Sequence, residues 1–142
     1  MTRTALIDII ALGALTGMRS MAGPAALAFR HGGPVRSVAL VLAAGEMVLD
    51  KAPFIGDRIA AAPLLGRAVM GALAGGLVAR QVGPHVPAGA ALGAAAAVAM
   101  AHVAFRARRG LGLTGIVGGL LEDAVVAGAG TALARQRSAW QP

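Results

Sequence analysis

Seven charged side chains fall inside or at the ends of segments that are otherwise small and apolar: Asp8, Arg19, Glu46, Asp50, Arg67, Glu122 and Asp123. In "GMRSMAGPAA", Arg19 and Ser20 stand between Gly17 and Gly23, ahead of Pro24. An arginine beside a break in a membrane helix can hold an anionic group or a carboxylate, and the freed backbone N–H groups can do the same. Glu46 and Asp50 are four residues apart, one turn along one helix face. Carboxylates so placed repel unless a cation lies between them or one is protonated. Arg19, Lys51, Arg58 and Arg67 are the cations that could serve. Glu122 and Asp123 point about 100° apart on an ideal helix, so one can face the bundle while the other meets a different helix. A charge inside a membrane costs ~2.5–3.5 kcal/mol on insertion scales, so such groups face the interior or water and take a partner. Arg19 is therefore expected within ion-pair or water-bridged reach of Glu46, Asp50, Glu122 or Asp123. Asp8 is too far along the axis, ~16 Å at the helical rise.

Other chemistry finds little support. The chain has no cysteine, which excludes disulfides, thiol catalysis and Cys-based metal sites. His31, His85 and His102 have no metal-ligand spacing and read as structural. No catalytic signature is present. An intramembrane enzyme acting on a lipid head group would have to use Glu46 or Asp50 as base, and the reading taken is a protein without catalytic residue, metal or cofactor. The net charge of +7 comes from twelve arginines and one lysine scattered between apolar runs, and aromatics make up only 3%. No basic stripe with aromatics forms, so nucleic acid is not the expected partner. The arginines read as markers of membrane edges.

The elements that must position these charges are helices in lipid. Of the 142 residues 57% are hydrophobic and 13% charged, with a mean hydropathy of +0.73. A soluble domain carries about 25% charged residues. The sequence therefore predicts a single integral membrane domain over 1–142, an all-α bundle of about five helices. These are drawn at 4–29, 37–50, 62–80, 86–105 and 112–134, between the breakers "RHGGPVR", "KAPFIGDR", "QVGPHVP" and "RARRGLG". The N-terminal run carries Asp8 and continues into further apolar sequence, so it reads as the first membrane helix rather than a cleaved signal. At about 26 residues it is longer than the ~20 a span needs, and it is broken between Gly17 and Pro24.

Glycines recur four residues apart at Gly13 and Gly17, Gly71 and Gly75, Gly89 and Gly93, and Gly115 and Gly119. Each pair clears one helix face for another backbone, within the chain or across a dimer. The fourth segment is too poor in bulky residues to face mainly lipid, so Gly89 and Gly93 should touch another helix closely. A shift of 76 residues lays Gly13, Gly17, Phe29, Arg30 and Glu46 over Gly89, Gly93, Phe105, Arg106 and Glu122, a weak repeat of inverted-transporter type. Arg19 falls on Ala95, so the halves are not equivalent. With five helices, Arg3, Lys51, Arg58, Arg106, Arg108 and Arg109 lie on one side. Arg30, Arg36, Arg80, Arg135 and Arg137 lie on the other. That near tie sets no orientation and allows dual insertion and an antiparallel dimer.

"GMRSM" followed by "GPAAL", then "DKAP" with Arg58 and Arg67 beyond it, Gly/Ala-rich helices and finally "LEDAVV" resemble the bacterial membrane proteins of domain of unknown function family 4126. The resemblance runs over nearly the whole chain and lies in the order of the motifs. It implies an integral membrane protein of bacterial type and no particular reaction. The positions it singles out are Gly17, Arg19, Ser20, Pro24, Asp50, Lys51, Pro53, Glu122 and Asp123.

Two readings follow. One is a small transporter, channel or lipid-handling carrier in the cytoplasmic membrane, a homo-oligomer among membrane lipids. Its charged site is formed by Arg19, Ser20, Glu46, Asp50, Lys51, Arg58, Arg67, Glu122 and Asp123 around the break at Gly17 and Pro24. The other is a non-transporting scaffold or accessory subunit whose charges are interhelical glue. A ligand-sized cavity lined by these charges favours the first; charges paired with one another and no such cavity favour the second.

Overall fold

The computed structural model describes residues 1–31, 33–49, 61–112 and 115–135, and among them the chain is all helical. The helices are α1 Arg3–Met18, α2 Ala22–His31, α3 Gly33–Leu49, α4 Ala61–Val82, α5 Val86–Gly110 and α6 Gly115–Arg135. Three are long and apolar enough to cross a membrane: α4, α5, and α6 over Val117–Arg135.

The break in the first segment is sharper than a bend. Thr2 caps the start of α1, accepting from the Ala5 N–H. Arg19 ends the helix in an extended conformation, φ −141° and ψ 124°, and its N–H still donates to the Leu15 carbonyl. The chain then turns through Ser20 and Met21 and runs back along α1. Gly23 of α2 lies against Thr16 Oγ1 and the Leu12 carbonyl, so a Cβ at position 23 would strike both. Thr16 keeps its hydroxyl satisfied by donating to Leu12 O at 2.8 Å. Pro24 falls in the first turn of α2, where a missing N–H leaves no helical bond unmade. The predicted break is therefore a helical hairpin. One expected element becomes two, and the described residues form six helices rather than about five.

Glycine contacts fix the directions of the remaining helices. Gly13 meets the Gly93 carbonyl and Gly17 meets that of Ala97, so α1 and α5 run parallel. Gly71 meets Gly93 and Gly75 meets Gly89, so α4 runs antiparallel to α5. A Cβ on Gly13 or Gly71 would stand 2.7 or 2.6 Å from the Gly93 oxygen. These three helices form a slab in contact through their backbones, and the close approach expected of Gly89 and Gly93 lies within the chain. Gly119 has nothing within 4 Å of a built Cβ, so it does not mediate a comparable contact.

The second layer is looser. α2 lies against α1 and α4, α6 packs on α2 and α1, and α3 packs chiefly on α2. The α2–α3 contact consists of small residues: Ala25 and Ala28 against Ala39, with Ala43 beside them. Because α2 doubles back, Arg3, Arg36, Arg80 and Arg135 gather at one end of the bundle, with Arg106, Arg108 and Arg109 at the other. This corrects the five-helix arrangement, which separates Arg3 from Arg36, Arg80 and Arg135. The suggested repeat is unequal in form as well: α5 runs unbroken where α1 and α2 turn, and α6 packs on α2 rather than on α5.

Candidate functional site

The hairpin turn at Arg19–Met21 is where charged side chains of α3 and α6 meet the end of α1. Two acids from different helices divide its demands. Glu46, near the end of α3, accepts from the Ser20 N–H at 2.7 Å with one oxygen and from the Met21 N–H at 2.8 Å with the other. The Met21 carbonyl in turn opens α2 by accepting from Ala25 N–H. Glu46 thus caps α2 from another helix, placing negative charge where helix-terminal donors and dipole favour it.

Asp123 of α6 takes the side chain of Arg19. Arg19 Nε donates to Asp123 Oδ1 at 2.8 Å, and Nη2 lies against the same oxygen. Arg19 is 1% exposed, and Ile9, Leu12, Thr16 and Val78 are the other largest fully buried side chains. One residue earlier on α6, Glu122 turns towards α5 and meets Arg108 Nη1 at 3.2 Å. The adjacent acids therefore bond to different helices, as their angular separation demands. Arg67 is buried on α4 one turn before Gly71, towards the same end of the bundle as Arg19. Asp8 is buried on α1.

The structure thus brings together Arg19, the Ser20 and Met21 backbone, Glu46 and Asp123, with Glu122 paired beside them. Gly17 and Pro24 flank the turn. Asp50, Lys51 and Arg58 lie outside the described residues. Two contributors escape the sequence argument. Arg108 reads only as an edge marker in "RARR", although its place in the last turn of α5 faces the start of α6. Met21 contributes a backbone N–H, which no side-chain pattern reports. Among the described residues no group of three or more His, Cys, Asp or Glu is placed to hold a metal ion.

Among the described residues, two open cavities lie beside α3. One, of about 270 Å³, lies between α2, α3 and α6 and is walled by Ala25, Phe29, Ala43 and Gly130. The other, of about 370 Å³, lies between α2, α3 and α4, against Leu27, Ala39 and Leu73. Neither includes Arg19, Glu46, Glu122 or Asp123 in its wall.

Comparison of the chain with protein-family models, with curated proteins and with solved structures gives no match.

Proposed function

We propose that this chain is a non-transporting scaffold or accessory subunit of the bacterial cytoplasmic membrane, with its intramembrane charges acting as interhelical pins. Its resemblance to domain of unknown function family 4126 belongs to the same proposal. One observation carries the reading: the hairpin turn takes its acids from the protein itself. Asp123 answers Arg19 and Glu46 answers the turn's backbone, and the two cavities beside α3 have apolar walls that none of these side chains joins. Buried ion pairs are often replaceable by well-packed apolar residues without loss of stability. The joint variant Arg19→Met with Asp123→Leu tests this in a strain lacking the protein. If the charges are glue, a folded double variant restores the wild-type phenotype. A folded variant that fails to restore it assigns the pair to a working site.

One feature favours the transporter or lipid-carrier reading instead. α3 rests mainly on alanines of α2, and its Glu46 fills the donor pair at the turn. Moving α3 away bares both donors. A disulfide between Ala28→Cys and Ala39→Cys fixes α3 in place. Loss of the phenotype on oxidation, with recovery on reduction, supports the carrier; an unaffected phenotype supports the scaffold.

A further inference from the structure

We propose that the groove between α2, α3 and α6 binds one acyl chain of an anionic glycerophospholipid, with the headgroup held by Arg36 and Arg135. The inference rests on the chain lying in a membrane and is independent of the scaffold reading. The groove is lined by Ala25, Phe29, Leu40, Ala43, Gly130 and Ala134, so it offers a wall of methyl and methylene groups. It extends along α6 from Val126 to Ala134, ~12 Å at the helical rise. A slot of about 270 Å³ over that length has room for one extended hydrocarbon chain.

The two ends of the groove differ in charge. The inner end, at Ala22 and Val126, approaches the hairpin turn, where Glu46 and Asp123 are engaged with the protein. The outer end is basic. The Arg36 guanidinium lies 5.4 Å from the centre of the Phe29 ring, which itself walls the groove. Arg135 follows the last groove residue of α6, Ala134, and both arginines are exposed. Of the described acids, Glu46, Glu122 and Asp123 sit at the far end. Asp8, the remaining one, is 3% exposed on α1. Basic pockets between membrane helices suit anionic headgroups, and two guanidinium groups at an apolar slot match a phosphate above an acyl chain.

Native mass spectrometry of the delipidated full chain, with equimolar phosphatidylglycerol and phosphatidylcholine, tests this. The wild type should retain phosphatidylglycerol in preference by about tenfold or more. Arg36→Gln with Arg135→Gln should lower that retention by about tenfold and leave phosphatidylcholine unchanged. Ala43→Leu, which fills the slot, should reduce retention of both lipids. Arg106→Gln with Arg109→Gln, at the opposite end, should keep the preference. Equal retention of the two lipids by the wild type overturns the proposal. So does undiminished preference in the Arg36 and Arg135 variant, or an Ala43→Leu effect on oligomer mass alone.

Discussion

Arg19 donates through Nε to Asp123 at 2.8 Å across 104 residues of chain, which ties the α1–α2 turn to α6. The guanidinium is almost fully buried, and the Asp123 side chain is 14% exposed. Breaking a largely buried pair by removing one partner typically costs about 3–5 kcal/mol. Arg19→Ala should therefore lose about that much stability in detergent denaturation. Arg19→Met with Asp123→Leu should recover a large part of it. A single variant as stable as the wild type would mean that the pair holds nothing. Arg36→Ala, on an exposed site, should cost less than about 0.5 kcal/mol.

Glu46 gives a separate prediction, because it bonds to backbone rather than to a side chain. Glu46→Gln keeps one acceptor and turns an NH₂ towards a backbone N–H, so about 1–2 kcal/mol should be lost. Hydrogen exchange at Ser20 and Met21 should quicken by about tenfold, while amides in the α1–α4–α5 slab stay protected. Unchanged exchange at those two amides would remove Glu46 as the cap of α2.

Glycine substitutions should divide sharply by position. A Cβ at Gly75 or Gly93 would collide with a facing backbone carbonyl, and backbone cannot step aside as a side chain can. Gly75→Leu or Gly93→Leu should abolish the folded species on size exclusion. Gly119→Ala has open space and should be neutral, or more stable by up to about 1 kcal/mol through helix propensity. Similar behaviour of the two sets would contradict the slab.

Arg108 and Glu122 meet at 3.2 Å with the arginine side chain 23% exposed. The exposed end keeps water within reach, so Glu122→Gln, which leaves Arg108 there, should cost about 1 kcal/mol, well below Arg19→Ala. Equal losses in the two variants would show that burial does not set the scale.

Membrane integration is checked directly by carbonate washing. The three long apolar helices should keep the protein in the pellet. Recovery in the supernatant would contradict a spanning bundle.

Much of this fold can be read from residue spacing. Helical class, breakers and tight glycine faces follow from local chemistry, since glycines four residues apart share a face whatever they meet. The buried charges are legible for a similar reason: an arginine in an apolar segment needs an acid, and few acids are available. What spacing does not report is the angle at a break. "GMRSMAGP" allows a bend as readily as a reversal, and the decision is made by Gly23 fitting against Thr16 and Leu12. That one angle changes the number of helices and the end at which Arg3 lies. Which acid serves Arg19 and which serves the turn's backbone is likewise a matter of tertiary register. Glu46 and Asp123 are both reasonable partners for Arg19 until α3 and α6 are placed.

The unequal layering bears on how this sequence can change over evolutionary time. In the glycine slab, a new side chain on one helix has to be matched by displacement of a neighbouring backbone. Single steps are therefore closed, and Gly13, Gly71, Gly75, Gly89 and Gly93 are held together as one unit. Val35, Val38, Val41 and Leu42 of α3 project outward, so most apolar exchanges there disturb no packed neighbour. A deep mutational scan should show a near-invariant half and a permissive helix within one small chain. New partners or new lipids would be acquired by drift along α3, with the slab as the fixed ground beneath it.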